Sequence, residues 1–307
     1  MQGKSFIAIS GLLVSVALLW SLPSAGDAGE PKTREVTCSS KKTIGEELRK
    51  LDPGDTLLVS GVCSENVVIP EEIHRITLDG QGTATINGPD ATRAAINVRG
   101  RVITIRGFTI TGGENGVMVD DGGAALIDGN SIQSTGSNGV LVNRHSSARI
   151  IDNTIQNNPG AGILVTEGSS ARIGFLSGSD TVASPNIIQS NGGSGVNVTR
   201  SSQTRIVGNT ISNNTDNGVL VNRGSHADIA SNAINGNAGD GVLVIRNSGV
   251  NLGEDAGTGI FDSPNITTVN NGGFGIRCRI NSYADGRRGS LNGNAGATSF
   301  DTTVGTP

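Results

Sequence analysis

Aromatic residues are the first shortage: one Trp, one Tyr and six Phe make up 3 % of 307 residues. That counts against a site built by stacking sugar rings on aromatic platforms, while leaving polar binding open. Charge is also sparse, and 23 basic against 27 acidic residues, a mild acidic excess, argue against nucleic acid, which wants a basic face. His74, His145 and His226 fall at unrelated offsets, and Met118 is the only methionine beyond the start, so no metal site is expected. Neither a Ser-His-Asp spacing nor a phosphate loop is present. The one long apolar run, residues 6–19, is short and lightly flanked for a membrane span. Helical spacing is missing everywhere except residues 41–51.

What the chain has is glycine, 46 residues of it, in a strict rhythm. The phrase Gly, Val or Ile, any residue, Val recurs at Gly116-Val117-Met118-Val119, Gly139-Val140-Leu141-Val142, Gly162-Ile163-Leu164-Val165, Gly195-Val196-Asn197-Val198, Gly218-Val219-Leu220-Val221 and Gly241-Val242-Leu243-Val244. It returns altered as Gly275-Ile276-Arg277-Cys278. Successive glycines lie 23, 23, 33, 23, 23 and 34 residues apart, a 23-residue period with two insertions. Inside each period an Asn precedes an Ile by two places, as at Asn130, Asn153, Asn186, Asn209 and Asn232, while Asn265 and Ile266 are one place short. A third segment alternates, as in Ala148-Arg149-Ile150 and Ala171-Arg172-Ile173. Three short β-type pieces per period cannot each bury an apolar face alone, but stacked copies can.

The pattern predicts an all-β, single-domain parallel β-helix of three strands per coil of about 23 residues, in about nine coils, and the usual hand of parallel crossovers makes it right-handed. The Gly-Ile-x-Val phrase and the Asn column resemble the repeats of the pectate lyase-like superfamily over residues 56–280. That superfamily includes lyases, glycosidases, epimerases, adhesins and proteins with no known reaction, so the resemblance implies a fold and leaves the activity open.

Residues 1–28 read as a cleaved secretory signal, which makes the protein secreted or periplasmic with no transmembrane segment in the mature chain. Residues 29–55 are expected to cap the stack, with a short amphipathic helix carrying Ile44, Leu48 and Leu51 over its open end. Residues 56–280 form the coils, and 281–307 a polar tail or cap that docks, if at all, through Leu291 and Phe300. Cys38 and Cys63 flank the capping helix and the first strand and are expected to form a disulfide. Cys278 stands in the column of core valines and is expected to be a buried thiol.

In a coil of this kind, offsets become rows. The third letter of the glycine phrase faces outward and gives an apolar stripe of Met118, Leu141, Leu164, Leu220 and Leu243. Either loops or the tail cover that stripe, or it is a contact surface. In the lyases that the chain resembles, the equivalent sheet carries calcium-holding carboxylates and a Lys or Arg base, and a row of leucines supplies neither. Two residues further on comes a charged row. Asp121, Arg144 and Glu167, with His145 beside Arg144, are either a catalytic or binding edge or a solvated ladder of opposite charges. Arg200, Arg223 and Arg246 lack alternating acids and are candidates for holding an acidic glycan. The preferred reading is an exported, non-catalytic protein whose surface binds a polysaccharide, envelope component or partner protein, with no cofactor. The alternative is a lyase or glycosidase acting on an acidic glycan, and for a lyase the resemblance implies calcium. The oligomeric state is left open.

Overall fold

Alternation of apolar and polar residues in pieces of three to five residues sets the strands, and glycine, asparagine and serine at fixed places between them set the bends. The structure is a computed structural model that describes residues 30–39, 42–177, 180, 182–253 and 263–300. The expected signal segment lies outside these residues. From Pro31 onward the chain forms one unit.

One full turn shows the plan. Ser147–Ile151 runs along one face, the chain bends at Asp152 and Asn153, Thr154–Gln156 follows, and Ile163–Val165 closes the turn. The glycine-phrase strands stack into a first sheet of ten parallel strands, from Val67–Ile69 to Gly296–Phe300. The strands equivalent to Ser147–Ile151 make a second sheet and those equivalent to Thr154–Gln156 a third. The two are bonded continuously, because in the early turns both are parts of one long strand, as in Thr77–Gly88 and Ile103–Gly112.

Registers follow the sequence period, insertions notwithstanding. Val119, Val142, Val165, Val198, Val221, Val244 and Cys278 are successive partners in the first sheet and all are buried. Each such aliphatic side chain taken out of water contributes about 1.5–3 kcal/mol, which is why the column tolerates only apolar residues. The 10-residue excess between Gly162 and Gly195 falls between the strands Ser170–Ile173 and Ile187–Gln189 and does not shift the pairing of Ile163 with Val196.

The stack has about eleven turns rather than the nine expected. Two stretches of weak periodicity account for the difference. Thr33–Thr37 pairs with Thr56–Ser60, so the sheet already begins within the stretch expected to be a cap. After Ile280, Tyr283–Gly286 pairs with Gly249–Leu252 and Gly296–Phe300 with Phe274–Arg279, so the stretch expected to be a tail or cap makes a further turn as far as residue 300. Leu291 is fully buried there, whereas Phe300 is exposed. Ile266 is also turned outward, because it pairs beside Ala233 and Thr267 takes the inward place.

The capping helix is a single turn, Ile44–Leu48, capped by the Thr43 hydroxyl accepting from Glu46 N–H, and Ile44 and Leu48 are its buried residues. The Glu65 carboxylate accepts from Ile44 N–H and Gly45 N–H and pins the helix to the stack. Cys38 and Cys63 form a disulfide joining this region to the strand Val62–Ser64. Among the described residues no helix is long and apolar enough to cross a membrane.

Polar groups buried at the bends are satisfied by rows of like residues. Asn130, Asn153, Asn186, Asn209, Asn232 and Asn265 form the asparagine ladder, each donating its main-chain N–H to the side-chain oxygen of the next. A second ladder, Asn158, Asn191, Asn214, Asn237 and Asn271, runs along the next bend. Its sequence signal was an Asn four places before the phrase glycine in each of these turns. Ser146, Ser169, Ser202, Ser225, Ser248 and Ser282 make a third row.

Candidate functional site

The bend after the first sheet carries the charged row. Asp121, Arg144, Glu167, Arg200, Arg223 and Arg246 all adopt left-handed φ between 48° and 59°. Main-chain bonds such as Gly168 N–H to Arg200 O and Gly224 N–H to Arg246 O set them one turn apart. Non-glycine residues pay for that conformation, and here the stacking bonds of neighbouring turns enforce it. Arg144 lies 3.3 Å from Asp121 and 3.2 Å from Asp120, Arg99 lies 3.4 Å from Asp121, and Arg200 lies 3.6 Å from Glu167. Exposed pairs like Arg200–Glu167 are worth at most about 1 kcal/mol. His145 is exposed beside Gly168, with its main-chain N–H bonded to Glu167 O. Arg223 and Arg246 are exposed, and among the described residues no carboxylate lies within ion-pairing distance of either.

Asp120 went unnoticed in the sequence because it precedes the charged row and has no counterpart in other turns. Its side chain is only 3 % exposed. Burial pushes its carboxyl up, against the pull of the Arg144 guanidinium.

On the outer face of the first sheet, Met118, Leu141, Leu164, Leu220 and Leu243 stand in one row, interrupted by Asn197, and all are half-buried. Arg277 ends the row. Its guanidinium holds the fully buried Asp240 carboxylate at 2.6 Å and 2.8 Å, and Asp240 also accepts from Phe274 N–H. Removing Arg277 would strand the buried Asp240 carboxylate.

The second sheet carries a feature that the sequence reading left out. A groove of about 540 Å³ runs along its outer face over the turns from Ile103 to Asp228. One outward row is short, Ala124, Ser147 and Ser170, continuing into Gln203 and His226. The next is long: Leu126, then Arg149, Arg172 and Arg205 in register on three successive strands, then Asp228. Arg172 and Arg205 rest on the Phe175 ring, 5.9 Å and 5.0 Å from its centroid, and Arg172 donates to Leu176 O. At the far end Asp228 accepts from Asn251 at 2.8 Å and lies 3.4 Å from His226 Nε2. Burial raises the Asp228 carboxyl, but the bonds to His226 and Asn251 outweigh it, and the group sits below the usual aspartate range.

Among the described residues no three His, Cys, Asp or Glu side chains converge to hold a metal ion. Asp120 and Asp121 are engaged by Arg144.

Residues 94–252 match the family described as the right handed beta helix region. A stretch of 122 residues, 38 % of this chain, is 28 % identical to a cell surface glycoprotein of Methanothermus fervidus. It covers 20 % of that relative, so the chain matches about a fifth of its length. Among solved structures, pectate lyase Pel9A superposes with a TM-score of 0.56 at 13 % identity, over 92 % of this chain and 82 % of that one. The A-module of the Azotobacter vinelandii mannuronan C-5 epimerase AlgE6 gives 0.51 at 14 %, over 90 % and 89 %. At such identities the likeness is one of fold.

Proposed function

The chain belongs to the right-handed β-helix family, and on that scaffold we propose that it is an exported surface protein that binds an acidic carbohydrate without transforming it. The observation that carries this reading is positive charge stacked along the axis. Arg200, Arg223 and Arg246 occupy one bend in consecutive turns, and the last two have no carboxylate partner among the described residues. A guanidinium offers planar, charge-assisted hydrogen bonds to carboxylates or sulfates, and a regular row of them suits a regular polyanion. The disulfide between Cys38 and Cys63 fits an extracellular protein, and the cell-surface relative supports export through the signal segment. The half-buried Leu and Met row offers no acid or base on the face of the first sheet.

A lyase or glycosidase is the second reading, favoured by one observation: the buried Asp120 carboxyl, raised by burial, beside Arg144 at the edge of the first sheet. The test serves both. The mature protein is placed on an array of acidic and neutral glycans, and incubated with polyuronates with and without calcium. Binding to acidic glycans that is lost when Arg200, Arg223 and Arg246 become Ala together supports the first reading. Unsaturated products absorbing in the ultraviolet, lost in Asp120→Asn, would replace it with the second.

A further inference from the structure

The groove of the second sheet lies apart from the bend that carries Arg200, Arg223 and Arg246 and is built differently. We propose that it is a binding channel in which one strand of an anionic glycan, bearing an acidic group on each residue, lies parallel to the coil axis. This rests on the acidic-carbohydrate reading and names the place, the direction and the repeat of the ligand.

Arg149, Arg172 and Arg205 are direct partners on adjacent parallel strands, so their backbones stand about 4.8 Å apart. Like charges placed opposite one another across strands destabilise a sheet. Among the described residues no carboxylate lies within ion-pairing distance of Arg149 or Arg172. Phe175 lies beneath Arg172 and Arg205, Leu176 O accepts from Arg172, and Asp228 stands beside Arg205 on the next strand, so the relief is concentrated at the Arg205 end of the row. A ligand with negative charges at a matching interval removes the repulsion along the whole row.

Shape gives the direction. The row of Ala124, Ser147 and Ser170 is short where the adjacent row of arginines is long, so a trough runs beside a cationic ridge across successive turns. The axial step between turns is close to the length of one pyranose in an extended chain. A strand lying in the trough presents one acidic group to each arginine and its hydroxyls to Ser147, Ser170 and Gln203. The channel is bounded at both ends: Leu126 interrupts the charge before Arg149, and Asp228, with its carboxylate held by Asn251 and beside His226, follows Arg205. Three acidic residues therefore fill it. Single-stranded nucleic acid is the poorer fit, because such grooves add aromatic platforms for bases and the aromatic ring at this ridge, Phe175, is fully buried.

The test uses the full mature chain and galacturonate oligomers of increasing length in titration calorimetry. Affinity should rise up to about three residues and level off beyond. Each arginine bonded to a carboxylate is worth roughly tenfold in affinity, so Arg149→Gln with Arg172→Gln should weaken binding about a hundredfold, while Lys50→Ala in the turn after the capping helix leaves it unchanged. Sulfated oligomers of the same length tell whether sulfate serves as well as carboxylate, and neutral oligomers should not bind. Melting curves check that the variants fold, and Arg149→Lys provides a milder change of the same row. If the wild-type chain binds no acidic oligomer, the functional reading fails. If it binds them and the Gln pair binds equally well, the acidic-carbohydrate reading stands and the channel is wrong. Equal affinity for a single-stranded oligonucleotide would also overturn the channel's assignment to a glycan.

Discussion

Asn153 donates both its main-chain N–H and its side-chain amide to one oxygen, Oδ1 of Asn186, each at 3.0 Å, across 33 residues of sequence. An insertion separates the two in the chain, yet they meet as closely as Asn209 and Asn232, which are one plain period apart. Asn186 in turn donates to Ile150 O and to Asn209 Oδ1, both at 2.8 Å, and is fully buried. Asn186→Ala leaves the Asn153 main-chain N–H without a partner, while Ile150 O keeps Gly174 N–H, Asn209 Oδ1 keeps the main-chain N–H of residue 186 and the Asn153 amide keeps Ile127 O and Ile151 O. A buried unpaired group costs about 1–3 kcal/mol, so a loss of about that size is expected. Urea denaturation checks it: the midpoint should fall with little change in slope.

Two glycines should respond in opposite ways to substitution. A Cβ on Gly162 would lie 2.5 Å from Ile188 Cγ2 and 2.7 Å from Gly195 O, inside the stack. Gly129 has open space around it but a φ of +62°. Gly162→Ala is expected to cost about 1–3 kcal/mol through overpacking, and Gly162→Asn more. Gly129→Ala should cost about 1 kcal/mol through backbone strain, most of which Gly129→Asn recovers, because Asn tolerates the left-handed region. Thermal melts of the four variants would refute this if Asn were no better than Ala at residue 129.

Stability should fall in acid partly through Asp55. Its carboxylate accepts from Lys32 N–H at 2.7 Å and Asp52 N–H at 3.0 Å, tying the first strand to the bend after the helix. The Lys32 bond, then that from Asp52, holds its carboxyl below the ordinary value of 3.8. A carboxyl depressed on folding adds stability that is complete above the ordinary value and is lost as pH falls through the lowered one. Asp55→Ala is therefore expected to melt below wild type at neutral pH, with the gap closing in strong acid. A gap constant with pH would contradict this.

The cysteines should divide by chemistry. The Cys38–Cys63 link closes a sequence separation of 25 residues, for which the chain-entropy relation gives about 3–4 kcal/mol. Reduction, or Cys63→Ser, should lower the denaturation midpoint accordingly. Cys278 is 2 % exposed, and burial pushes its thiol up to about 12. It should stay unreactive toward a thiol reagent in the native protein and react once the chain is unfolded.

Much of the site was legible only as letters. Arg149, Arg172 and Arg205 sit in the alternating segments that announced the second sheet, but the trough beside them depends on the short side chains next to them and on Phe175, carried in by an insertion without internal period. Asp120 reads in sequence only as the neighbour of Asp121, and its burial comes from neighbouring turns. The count of turns was short because Thr33–Thr37 and Gly296–Phe300 pair through main-chain groups, which leave no repeat in the side chains.

The amino-acid sequence by itself determined the coil, the columns and the disulfide: a fixed period with an apolar residue at alternate places can bury itself only by stacking on its own next copy. What the tertiary structure alone decided is where charge is left without a partner. Ion pairing and groove depth depend on distances of a few ångströms between side chains from different turns, and such distances are set by packing, which no single stretch of chain contains.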